Sequence, residues 1–276
     1  MSLLLDSFWR AVAYCLHPRV IALSLLPLVV MVAVAMGVGY FFWDSAVNAV
    51  FMWLESSALF SAVGNWLASM GLGGLRNALA PVIVVFSATP VVVVGVLLLV
   101  AMWMMPAILR LVAARRFPGL ERKRGGGFLL SLGWSLASTL LAVLAMIVSI
   151  PLWLVPPLVL ILPPLIWGWL TYRVMAFDAL AEHATREERR EVFKRHRHWL
   201  LAIGIATGYL GAAPSVIWAS GFFAVAFFFF LIPLAIWLYT LVFAFASLWF
   251  AHYCLAALHG LREEQAVAFR HEEPIA

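Results

Sequence analysis

The densest chemistry in the chain is basic. Arg115, Arg116, Arg122, Lys123 and Arg124 crowd one short stretch with Glu121 as the only acid among them. A cluster of this kind gathers anions at an entrance, binds acidic lipid headgroups, or simply keeps a loop on the positive side of a membrane, and the sequence leaves all three open. A second pattern is made of hydroxyls. Over 128–150, Ser131, Ser135, Ser138, Ala142, Ala145 and Ser149 recur at steps of four and three, which is one stripe of a helix. Small stripes let membrane helices approach closely; alternatively Ser131, Ser135 and Ser138 line a conduit. Gly204 and Gly208, in "GIATG", are in the same way a helix-contact pair first. His196 and His198 are two apart and diverge on a helix, where a metal pair needs a spacing of four, so no metal is expected. "RGGGF" lacks the Lys-Ser/Thr ending of a phosphate loop. No Ser-His-Asp or Cys-His arrangement can be assembled, so neither an enzyme nor a cofactor is expected.

These residues have to be positioned by membrane helices. Hydrophobic residues make up 65% of the chain and charged ones 11%, against about 25% charged in soluble domains. Asp, Glu, Lys and Arg are missing altogether from 20–43, 77–109, 125–172 and 198–261. A crossing needs about 20 apolar residues. The first block therefore fits one crossing, the second one long or tilted crossing, and each of the last two a hairpin. The expected fold is all-α, a polytopic integral membrane protein of about six apolar helices that combines full crossings with proline-broken, re-entrant hairpins. Residues 1–258 then form a single helical membrane domain and 259–276 a charged cytoplasmic tail. A cleavable signal ending near "AVA", 33–35, is the competing reading of residues 1–36, but the apolar run continues to Trp43, past the core of about 7–15 residues that signals use. Cys15 and Cys254 make no disulfide framework and are expected reduced near the cytoplasmic interface.

Lys and Arg collect on the cytoplasmic side of inner membranes. Arg10 and Arg19 precede the first block, 110–124 follows the second, Arg173 to Arg197 separate the third and fourth, and Arg262 and Arg270 lie in the tail. With 44–76 outside, every cation but Arg76 faces the cytoplasm, as do both termini. The third and fourth blocks must then leave from and return to the inner face. In the third, Pro151, Pro156, Pro157, Pro163 and Pro164 argue against continuous helix, since each removes a donor and clashes with the preceding turn. The freed carbonyls must be buried in protein or line a wet cavity, and the turn is expected at Val155–Pro157. Gly211 and Pro214 should break the first arm of the fourth block and Pro233 kink the second. Asp44 is expected to cap an outer-face helix with apolar Val47, Val50, Phe51, Leu54, Ala58, Val63 and Trp66. That helix either lies in the interface with Trp53 and Trp66 as anchors or packs ordinarily. Thr185 with Glu188 makes a capping box, and Glu182–Arg186 and Glu191–Arg195 are i,i+4 pairs.

The empty blocks also bear on mechanism. Proton relays and voltage sensors keep ionisable side chains inside the membrane at a cost of about 2.5–3.5 kcal/mol each. With no Asp, Glu, Lys or Arg in the blocks, a carboxylate-driven transporter is disfavoured, whereas a conduit of backbone dipoles, hydroxyls and helix ends stays open.

Two segments carry a resemblance. "FWRAVAYCLHPRVIALSLLPL", 8–28, and "YRVMAFDALAEHATREERREVFKRHRHWLLAIG", 172–204, with Asp178, the basic helix and Gly204 in place, resemble the CysZ-like family of bacterial sulfate permeases and their relatives, which share a domain with the eukaryotic etoposide-induced membrane protein. With the helical layout between them, the likeness covers most of 8–255. It implies a helical membrane protein with full crossings and partial hairpins, assembled as a homo-oligomer and passing sulfate inward. The family's sulfate-binding motif, a Gly-Leu-Arg-Arg run, follows the proline that Pro18 matches. Here it reads Arg19-Val20-Ile21-Ala22, so Ile21 and Ala22 stand in place of the two arginines. Helix-start N–H groups and a cation together hold an anion, and Pro18 suits a first helical turn; on that footing His17, Pro18 and Arg19 are the anion-binding candidates. The plainer role for Arg19 is a snorkelling anchor, and for His17 an interfacial one. The expected function is transport of a small anion, sulfate being the family's substrate, across a bacterial inner membrane. The alternative is a non-transporting organiser that binds acidic lipid or a protein partner through its basic loops. Membrane lipid and a small anion are the expected partners, and nucleic acid is not.

Overall fold

The computed structural model describes residues 2–57, 60, 62, 69–71, 74–123, 125–212 and 228–272. Among them the chain is helical throughout: α1 Ser2–Cys15, α2 Pro18–Ser56, α3 Gly74–Arg116, α4 Phe128–Ser149, a 3-10 turn Ile150–Leu154, α5 Pro156–Ala181, α6 Arg186–Ala212 and α7 Phe228–Glu272. Five of these are long and apolar enough to cross a membrane, within Pro18–Glu55, Leu79–Arg116, Leu129–Leu154, Leu160–Ala181 and Pro233–Ala268. The all-α polytopic expectation holds. The sixth apolar arm begins in α6, and its continuation past Ala212, with Pro214, lies outside the described residues.

The chain divides into two compact units, Met1–Ser24 with Met102–Ala276, and Leu25–Ala101. In the first, α7 is the centre. Ala244, Leu248, Phe250, Ala251, Cys254, Leu255 and Leu258 are buried along it, and α1, α5 and α6 pack on it. In the second, Leu54, Ala80, Val84, Val96 and Val100 are buried, while Val29, Met36, Phe41, Phe42, Phe86, Val91 and Leu98 stay exposed, a surface that suits hydrocarbon and not water.

Asp44 caps nothing. It lies inside α2, which runs unbroken to Ser56; no Pro or Gly follows Gly39 to stop the helix, and one exposed Asp in a helix interior costs only a few tenths of a kcal/mol, of the order of ~0.7. The separate outer-face helix is therefore absent as far as Ser56, and its remaining positions Ala58, Val63 and Trp66 lie outside the described residues. The hairpin of the third block breaks where its prolines begin. Val155 is extended (φ −97°, ψ 108°) because it precedes Pro156, and Pro156 and Pro157 start α5. Pro163 and Pro164, in contrast, ride inside α5. Pro164 has no N–H for the carbonyl of Leu160, and the Tyr209 hydroxyl of α6 donates to that oxygen at 3.2 Å instead. The freed carbonyl thus finds a donor within the protein, as membrane depth demands.

The two arms that follow are held by glycine. A Cβ on Gly204 would collide with the carbonyl oxygen of Gly168, one on Gly168 would stand 2.7 Å from Cα of Ile205, and one on Gly208 would sit 3.6 Å from Cα of Gly168. Backbone meets backbone between α5 and α6, as "GIATG" suggested. At the other end of α5, Gly125 and Gly126 donate their N–H groups to the carbonyls of Ala184 (3.1 Å) and Ala181 (3.0 Å). The glycine run thus closes the C-terminus of α5, which otherwise leaves carbonyls unpaired.

Candidate functional site

The start of α2 has an unexpected economy. His17 accepts the N–H groups of Val20 (2.8 Å) and Ile21 (3.1 Å) on its carbonyl, and its Nδ1 accepts the N–H of Arg19 at 3.2 Å. Pro18 has no N–H to offer. His17 is thus the N-cap, a role usually given to Ser, Thr, Asp or Asn, and it satisfies in place the donors that an anion would use. The exposed Arg19 side chain is the cation left at this helix start; Ile21 and Ala22 are exposed as well, and Val20 and Ser24 are buried. Trp237 of α7 donates to Ser24 at 3.2 Å, fixing the first turns of α2 to the core.

Behind the helix start lies a polar cluster that sequence reasoning missed. Tyr14 stacks on His17 and meets His252 edge-on, with centroids 6.5 and 4.8 Å apart. Arg116 reaches His252 Nδ1 at 3.4 Å and donates to Asp6 at 2.6 Å, while Arg10 also donates to Asp6 at 2.8 Å. Slight burial raises the Asp6 pKa, but the two arginines outweigh it and hold the carboxyl below its ordinary value. His252 is fully buried, and its Nε2 has no partner among the described residues. No motif could have shown this, because three helices far apart in sequence supply it.

A second hub closes the loops between the helices. Glu188 accepts the Thr185 N–H at 2.8 Å and the Glu188 N–H returns to the Thr185 hydroxyl at 3.1 Å, which is the expected capping box. The same carboxylate takes Lys123 at 3.1 Å and both Nε and Nη2 of Arg262 at 2.9 and 3.0 Å. Arg262 further donates to the carbonyls of His183 (2.6 Å) and Glu121 (3.0 Å). Burial opposes the charge on Glu188, yet Arg262, the Thr185 N–H and Lys123 pull its pKa down to about 2. The basic cluster is accordingly divided. Arg116 turns to Asp6, Lys123 to Glu188, Arg115 and Arg122 stay exposed, and Arg124 lies outside the described residues.

The charged pairs are split in the same way. Glu191–Arg195 forms at 2.9 Å. Glu182 does not pair with Arg186: it ends α5 while Arg186 begins α6, so the two never share a helix, and Glu182 lies 4.0 Å from Arg110. His196 accepts or donates to Tyr253 at 2.8 Å, and no group of metal ligands occurs among the described residues. Cys15 and Cys254 are free thiols, and burial raises the pKa of Cys15 to about 11.

The serine stripe follows the face of α4 turned to α5. Ser131 donates to Asp178, Trp134 donates to the Arg173 carbonyl at 2.9 Å, and Ser138, Ala142 and Ser149 are buried, with Ser135 partly so; Ala145 departs from the stripe and is exposed. Nearby, α5, α6 and α7 line a half-open apolar pocket of about 600 Å³ between Pro163, Pro164, Trp167, Gly208 and Tyr239. With this geometry in place, comparison with known proteins adds one match. The model of the family described as "Sulfate transporter CysZ/Etoposide-induced protein 2.4" matches residues 7–220. No curated protein and no solved structure matches the chain.

Proposed function

Because the chain belongs to the sulfate transporter CysZ/etoposide-induced protein 2.4 family, we propose that it carries a small inorganic anion, sulfate first, across a bacterial inner membrane. The family match over 7–220 is the observation that carries the reading, since it includes the helix start with Arg19 and the α4–α5 hairpin. Supporting it are the five apolar helices and spans empty of Asp, Glu, Lys and Arg over 20–43 and 77–109, which suit a passive or weakly coupled route more than a carboxylate-driven one. Arg19 is the cation that meets the anion, with His17 and Pro18 shaping the helix start, and Ser131, Ser135 and Ser138 lie along the path. The working form is a homo-oligomer with both termini cytoplasmic.

The test is uptake of labelled sulfate into proteoliposomes, with empty liposomes and Arg19→Ala as references and chloride and phosphate as competitors. Saturable uptake is expected, at least about tenfold weaker in the variant, in line with the low end of the 1.5–3 kcal/mol of a charge-assisted contact to an oxyanion. Folded protein that carries no sulfate above empty liposomes overturns the reading and favours the lipid- or protein-binding organiser. Orientation has its own check. A reporter at residue 60 should read external and one at 120 cytoplasmic; the reverse at either position refutes the orientation.

A further inference from the structure

Among the described residues, Arg173 is a half-buried cation in an apolar helix with no acid paired to it. It lies within the span Leu160–Ala181, and among the described residues no side-chain oxygen or carbonyl accepts from its guanidinium. The Nε is buried and unpartnered. The group lies over two indoles: the guanidinium carbon is 3.9 Å from the centroid of Trp134 and 5.4 Å from that of Trp169. The near acid is engaged elsewhere, since Asp178 accepts from Ser131.

A guanidinium carbon 3.9 Å from an indole centroid uses a flat face of the group and leaves its in-plane donors over. Those donors form a fork that matches two oxygens of one oxyanion, a geometry a lysine cannot offer. A cation in an apolar helix that no acid or carbonyl of the protein pairs marks a place where something else pairs with it. A second group points to the same place. Ser138 is 1% exposed and its Oγ has no partner among the described residues. It sits one turn beyond Trp134, on the face of α4 that carries Ser131 and Trp134, and those two contact α5 at Asp178 and Arg173. Antiparallel register therefore brings the idle hydroxyl alongside the turn of α5 that bears Trp169 and Arg173.

We propose that Arg173, lying over Trp134 and Trp169 and neighboured by Ser138, binds a tetrahedral oxyanion. The ligand is either free sulfate or phosphate, or the phosphate of a membrane lipid; for the free anion the site rests on the transport reading above, as a second station along α4 and α5 separate from Arg19.

The experiment uses the full chain in nanodiscs of phosphatidylcholine alone. Equilibrium binding of labelled sulfate and of labelled phosphate is measured, and retention of added phosphatidylglycerol is measured by native mass spectrometry. Arg173→Gln should weaken the bound oxyanion at least tenfold, Arg173→Lys should restore only part of that loss, and Ser138→Ala should weaken it a few-fold. Loss of sulfate or phosphate binding identifies a free-anion site; loss of phosphatidylglycerol retention identifies a lipid-phosphate site. Arg173→Gln that folds and binds all three as the parent does overturns the proposal. If that variant does not fold, Arg173→Lys decides, and parent-like binding by it overturns the forked site. Uptake by the same proteins separates this proposal from the transport reading. A parent that binds sulfate but carries none refutes transport and leaves the site; a parent that carries sulfate, with Arg173→Gln binding and carrying it equally, refutes the site and leaves transport.

Discussion

Gly204→Leu is expected to part α5 from α6. Even the first carbon of any side chain at Gly204 collides with the carbonyl oxygen of Gly168. That atom is backbone in the middle of a helix and cannot swing aside as a side-chain tip would, so the relief has to come from moving a whole helix. Overpacking of a core costs about 1–3 kcal/mol where side chains can give way; here the loss should reach at least about 3 kcal/mol. It would carry with it the Tyr209–Leu160 hydrogen bond, since that bond joins the same two helices. Gly204→Ala should already be harmful. Gly133→Leu is the control, because a Cβ at Gly133 meets nothing within 4 Å. Thermal unfolding of the purified variants in one detergent is the measurement, and equal melting of Gly204→Leu and Gly133→Leu would refute the close contact.

The second large effect is expected at Glu188. Removing one partner of a buried pair costs about 3–5 kcal/mol because the other charge is left behind, and Glu188→Ala would strand Arg262, which gives Nε and Nη2 to this carboxylate, together with Lys123. The partly exposed Lys123 recovers its hydration, which puts the expected loss near ~3 kcal/mol. A pH dependence follows with a definite sign. The folded-state pKa, about 2, is below the ordinary 4.5, so protonation favours the unfolded chain. The contribution is complete above pH 4.5 and disappears as pH falls towards 2. Unfolding curves recorded through that window should show the parent losing stability to acid more steeply than Glu188→Gln. Parallel curves for the two proteins would mean that Glu188 is not held as an anion.

What could be foreseen from the chain divides along the distance between partners. Thr185 and Glu188 are three apart, and their box was legible because both hydrogen bonds stay inside one turn. The bend at Val155 was legible for a similar reason: a residue before proline is pushed to extended backbone by its own neighbour. Gly204 and Gly208 announced a contact but not its partner, since the matching Gly168 stands alone in α5 without a repeat to mark it. Asp44 misled because capping preference is a property of helix ends and says nothing about whether an end exists. The candidate site was less legible still. Its resemblance-based cation, Arg19, was visible, but the use of His17 Nδ1 as a cap was not, since histidine is an unusual residue there. Arg262 reaches Glu188 across 74 positions, and Arg116 reaches Asp6 across 110. Nothing periodic ties such residues together; only the folded arrangement does.

The Glu188 hub also bears on the order in which the protein can be completed. Its partners are Lys123, well before it in the chain, and Arg262, near the end of α7. During synthesis from the N-terminus, α5 and α6 can be joined and the Thr185–Glu188 box formed while the carboxylate still waits for its strongest partner. Only when α7 has emerged does Arg262 arrive, and with it the two carbonyls of His183 and Glu121 are engaged at once. The arrival of α7 thus acts as the latch of this bundle. A nascent chain that stops before Arg262 would leave the bundle with a buried acid half paired.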